Sequence, residues 1–203
     1  FPFRINHGSS LLLLGSCFTE NIGLRLQNAK FTVMQNPTGI VYNPHSLLQT
    51  VELICGNKLF TESDLHFAND LHFSYQHHSR FSAASAEVAL KNMNAAMDEA
   101  RKNLPKTDVV FISLGSAFYW WLKSENCVVN NCHKQPAMLF EQNFASVAEV
   151  KTVLQNTVDL LKTANPKVQI VFTISPIRHL KHGSAGNQLS KSTLLVAAHE
   201  LAA

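Results

Sequence analysis

The sequence has no apolar run longer than a few residues, so no segment is long enough to cross a bilayer as a helix. No basic-then-apolar leader opens it, so it shows no secretion signal. Lysine and arginine are scattered, with no stripe interleaved with aromatics, and the formal charge is only +3; neither a nucleic acid nor a membrane surface is an expected partner. Cysteine is scarce. Cys17, Cys55, Cys127 and Cys132 match neither a zinc ribbon nor a dense disulfide framework, which points to a reducing, cytoplasmic setting. No Gly-x-Gly-x-x-Gly follows any candidate strand, which places a Rossmann-type nucleotide binder last among the readings. Internal repeats and low-complexity segments are also missing.

What is present is an alternation of strand and helix. At 203 residues and 46% hydrophobic content the chain suits one globular domain with a substantial core. The pattern predicts strands at Ser10–Leu14, Lys30–Met34, Asp108–Gly115 and Lys167–Ile174. It predicts helices at Thr19–Gln27, from Asn43-Pro44 to Ile54, at Glu87–Leu104, from the Ser146-x-x-Glu149 capping box to Ala164, and from near Ser190 onward. Residues 57–86 and 116–145 read as long excursions, the first with short strands or turns. The whole is α/β, with a mostly parallel sheet between helical layers.

The most informative stretch is Leu11-Leu12-Leu13-Leu14-Gly15-Ser16-Cys17-Phe18-Thr19-Glu20. A buried strand ends in a tight turn and a helix follows at once. This puts a small nucleophile at the carboxyl end of a strand, where open α/β sheets keep their chemistry and where the first N–H groups of a helix favour an anion. Cys17 is the leading nucleophile, since a helix N-terminus promotes the thiolate; the alternative is a buried structural cysteine. Ser16 is the rival nucleophile, although a hydrogen bond to the turn backbone is its plainer role. Gly39, after Asn36-Pro37, and Gly115, after a core strand, are either oxyanion donors or glycines required by the backbone. Cys132-His133 fits no zinc ligand set, and His66, His72, His77 and His78 share no period and are expected to face solvent. Arg178-His179, beyond the last core strand, either meets an anionic substrate or forms a polar loop. No metal or organic cofactor is called for.

Gly15-Ser16-Cys17-Phe18 resembles the signature of the GSCFA family, with Thr19 at its final alanine. Asn36-Pro37-Thr38-Gly39-Ile40-Val41-Tyr42-Asn43-Pro44 resembles a second block. Ser113-Leu114-Gly115, Asn131-Cys132-His133-Lys134-Gln135-Pro136, Thr173-Ile174-Ser175-Pro176-Ile177-Arg178-His179 and Ser190-Lys191-Ser192 resemble further blocks in order. The family is similar to the SGNH (GDSL-like) hydrolases. The resemblance implies a three-layer α/β/α, flavodoxin-like domain and hydrolysis of ester or acyl bonds, including acyl groups on carbohydrates. It also implies a small-molecule or carbohydrate ester as partner; a homo-oligomer is compatible with it. Cys17 then takes the nucleophile position, Ser16 the aspartate position, and Gly39 and Gly115 the glycines of the second and third blocks. Three departures stand out. Cysteine replaces serine. Ala117 stands where the third block has asparagine, with Asn131 as a substitute donor. No Asp-x-x-His occurs in the 203 residues, so a C-terminally truncated copy, short of its last strand and helix, is expected. His133 and His179 are the substitute bases, and a non-catalytic binding module on the same fold is the competing reading.

Overall fold

The computed structural model describes residues 3–178 and 180–202. Its central sheet has four parallel strands: β1 (Ser10–Gly15), β2 (Thr32–Gln35), β5 (Val109–Leu114) and β9 (Gln169–Ile174), in the order β2-β1-β5-β9. The helices are α1 (Cys17–Asn28), α2 (Pro44–Cys55), α3 (Ala86–Asn103), α4 (Val147–Ala164) and α5 (Gly183–Ala202). This is a mixed α/β architecture with a parallel centre, compatible with three layers.

Strand alternation divides the core. Leu12, Leu14, Val110, Ile112 and Leu114 face one side and pack with Leu47 and Val51 of α2, Leu154 of α4 and Leu194 of α5. Leu11, Leu13, Val109 and Val171 face the other side, against Ile22 and Leu26 of α1. Burial on both faces is why these strands read as unbroken apolar runs. Among the described residues no helix is long and apolar enough to cross a membrane.

Helix starts follow local chemistry. Asn43 caps α2 through Ser46 N–H, with Pro44 at the first helical position. Ser146 and Glu149 form the expected capping box on α4. The last helix begins at Gly183, seven residues before the expected start near Ser190. Ser190 is not its cap but a buried side chain within it.

The two excursions form a second layer of small strands. β3 (His66–Ala68) and β4 (Leu71–Phe73) are a hairpin whose Asn69 and Asp70 both have positive φ, as a tight two-residue turn requires. β6 (Phe118–Leu122), β7 (Cys127–Val129) and β8 (Phe140–Phe144) make an antiparallel sheet in the order β7-β6-β8. Phe73, Tyr75, Leu122, Val129 and Phe140 knit hairpin and sheet into a smaller apolar cluster. His77, expected at the surface, is fully buried between the rings of Phe60 and Phe81.

Candidate functional site

Strand order reverses direction between β1 and β5: β1 leads on to β2 on one side, while β5 lies on the other. The crevice at the carboxyl ends of this pair is the topological switch point. Gly15 ends β1 there with φ +132°, and a Cβ on it would lie 2.1 Å from the Ser113 carbonyl oxygen. Only glycine brings the two strand ends this close. Ser16 follows as the cap of α1. It is 3% exposed; its Oγ accepts from Phe18 N–H at 3.3 Å and lies 3.2 Å from Ser113 Oγ. The Ser16 hydroxyl is thus committed to the turn. Cys17 is the first helical residue and is exposed. Its N–H belongs to the first turn, which has no carbonyl partner within the helix.

Asn36 ties the second block to this turn. Its Oδ1 accepts from Gly15 N–H at 2.8 Å and its Nδ2 donates to Thr19 Oγ1 at 3.1 Å. Arg80 bridges Glu20, at 2.8 Å, and the Asn36 carbonyl. Gly39 does not present the free donor expected of it: its N–H is given to the Asn36 carbonyl at 2.8 Å. Its φ of +94° and the His78 Cβ, 2.1 Å from where a side chain would begin, explain the glycine. The Gly115 N–H is likewise spent, on the Tyr42 carbonyl at 2.8 Å, which also accepts from Ser116 N–H at 3.0 Å.

Tyr42 is a residue the sequence reading missed. Burial, then the neighbouring Cys17 and Glu20, raise its phenol above the ordinary value. It forms part of the wall of a cavity of about 630 Å³, a wall to which Cys17 does not contribute. Phe118 and Trp120 of β6 and Gln142 of β8 make the facing wall, and Asn130 and Asn131 add amides. Lys181 closes one end with its ammonium 4.7 Å from the Trp120 ring centre, and His182 stacks on Phe118 at 3.9 Å. The signal for this wall was the aromatic run Phe118-Tyr119-Trp120-Trp121, whose strand pairing the sequence does not specify.

The remaining candidates scatter. Asn131 is on the cavity wall, with its Oδ1 accepting from His133 N–H at 2.8 Å. His133 makes no hydrogen bond to Cys17: its Nε2 donates to the Ser74 and His77 carbonyls at 3.0 Å each, and its ring stacks on Phe73. Burial lowers its basicity. Its Nε2 is thus engaged with backbone carbonyls. Cys132 lines the cavity, but burial pushes its thiol up to about 11, so it is held protonated. Arg178 is exposed and outside the cavity wall. His179 lies outside the described residues. Among the described residues no imidazole hydrogen-bonds the Cys17 sulfur, and no three or more His, Cys, Asp or Glu side chains gather as a metal ligand set.

No curated protein and no solved structure matches the chain. The GSCFA family model matches residues 10–203, from the first core strand through the last helix, and so takes in the Gly15–Cys17 turn, the Asn36–Pro44 block and the Gly115 turn. The chain belongs to the GSCFA family.

Proposed function

We propose that the protein is a hydrolase of SGNH type, on a flavodoxin-like fold, that cleaves ester or acyl bonds with Cys17 as nucleophile. The observation that carries this is the position of Cys17: exposed, first in its helix, and at the switch point of a parallel sheet, where Tyr42 and Gly115 of the adjoining turns line a polar and aromatic cavity. Cys17 gives up its thiol proton as its sulfur attacks the carbonyl carbon and forms the thioester bond; the ester C–O bond breaks, and the departing oxygen takes up that proton to leave as the alcohol. Water then cleaves the thioester, which releases the acyl group as a carboxylic acid and restores the thiol. The Cys17 N–H and the Asn131 amide are the donors for the oxyanion, in place of Gly39 and Gly115. The superfamily pattern assigns proton transfer to a histidine of an Asp-x-x-His block, which these 203 residues lack. Trp120, Phe118 and the cavity amides suit an acylated sugar, which offers apolar ring faces and hydroxyls together.

The test is hydrolysis of a panel of acetylated sugars and simple esters by the native protein and by Cys17→Ala. Turnover that vanishes in the variant supports the reading; equal turnover in both rejects it. A second reading, a binding module without turnover, is favoured by the engaged N–H groups of Gly39 and Gly115. It expects sugar esters to bind in the cavity and be released intact.

A further inference from the structure

Helix α5 holds the Gly115–Ala117 turn from beneath. Lys191 is 9% exposed, and its Nζ donates to the Gly115 carbonyl at 2.6 Å. Next to it Ser190, 3% exposed, accepts the Ala117 N–H through its Oγ at 2.8 Å. Among the described residues no carboxylate forms an ion pair with Lys191. Burial lowers its pKa from the ordinary lysine value.

An ammonium buried against a single carbonyl is a poor source of stability. Its desolvation costs more than one hydrogen bond returns, and an apolar side chain of similar shape packs there more cheaply. The charge must therefore be explained by something other than packing. Its bond polarises the Gly115–Ser116 peptide, and the N–H of that peptide donates to the Tyr42 carbonyl at 3.0 Å. Val41, the residue before Tyr42, in turn donates its N–H to the Gly15 carbonyl at 3.0 Å, two residues before Cys17. A hydrogen-bonded path thus runs from Lys191 through the turn to the strand end that carries Cys17. The same turn has lost the asparagine donor at position 117, and the Ala117 N–H is already used.

We propose that Lys191 is a positioning residue for acyl transfer at Cys17. Through the Gly115 carbonyl it fixes the turn and the backbone that leads to Cys17, and as an ammonium it adds positive charge on the α5 side of the site, which favours the oxyanion. This rests on the hydrolase reading above.

The experiment is the first turnover with p-nitrophenyl acetate, whose leaving group departs without a proton, in the native protein, Lys191→Met and Lys191→Gln. Both variants are expected to release nitrophenolate about 10- to 100-fold more slowly, less than the roughly 100- to 1000-fold of losing a direct oxyanion donor because the lysine acts through a peptide group. Lys191→Met is expected to keep or raise the thermal midpoint. Alkylation of Cys17 by iodoacetamide, which forms no oxyanion, should stay within about twofold of the native rate. A native first-turnover rate in Lys191→Met overturns the proposal, and so does alkylation that slows in parallel. Loss of folding in both variants overturns it too, by making the lysine purely structural. A native protein that alkylates at Cys17 but releases no nitrophenolate fails the hydrolase reading itself, and is told apart because the failure is seen without any substitution.

Discussion

Ser16 and Cys17 are joined by one peptide bond and live in opposite environments. The serine is sealed under the helix start, whereas the cysteine is in the open. Their substitutions should therefore separate. Ser16→Ala removes the cap of α1 and is expected to cost about 1 kcal/mol, read from chemical denaturation, with Cys17 still reactive. Cys17→Ala should leave stability within about 0.5 kcal/mol, as for an exposed position, and abolish turnover. Asn36 is the residue on which the turn hangs. Asn36→Ala leaves the Gly15 N–H without an acceptor in a buried place and is expected to destabilise by about 2 kcal/mol. The choice between Ser16 and Cys17 was half legible in the sequence, because a serine before a helical segment reads as a cap. The fate of the glycine N–H groups was not: whether Gly39 and Gly115 donate outward or to a neighbouring carbonyl depends on loops distant in sequence.

At the scale of elements, the sequence was most legible where burial is complete. β1, β5 and β9 are covered on both faces and so appear as apolar runs. α2 and α4 carry their caps in plain view, and Ser146→Ala is expected to cost about 1 kcal/mol by loss of half of the capping box. The early start of α5 was hidden because Gly183 and Gly186 are poor helix formers, and Ser190 imitates a cap while serving as the acceptor for Ala117 N–H. The β6–β8 sheet was hidden for another reason. Most residues of β6 are only partly buried, so its aromatic run lacks the alternation that marks a strand with one wet and one dry face.

Across the whole molecule the cavity wall joins Gly115 and Ser116, which follow the parallel core strand β5, to Phe118, Trp120, Val129 and Phe140 of the small sheet, so the site depends on the docking of that sheet onto the parallel core. His77 lies within that docked layer. Burial, with the nearby His133 and Lys58 charges, lowers its pKa to about 3 from the ordinary 6.5, and neither ring nitrogen has a partner. The unfolded chain therefore binds the proton first. The stability from the neutral ring is complete above pH 6.5 and is lost as pH falls towards 3, at up to about 1.4 kcal/mol per pH unit. His77→Phe should shift acid unfolding to lower pH, monitored by tryptophan fluorescence; an unchanged acid midpoint would contradict this assignment.

The account as a whole turns on where an acyl group lands. The direct measurement is peptide mass spectrometry of the protein quenched in acid after brief mixing with p-nitrophenyl acetate. The account predicts one acetyl adduct, on the peptide containing Cys17, lost on standing at neutral pH and missing from Cys17→Ala. An adduct on Ser16 or Cys132, or a Cys17 that stays unmodified while ester is consumed, would contradict it.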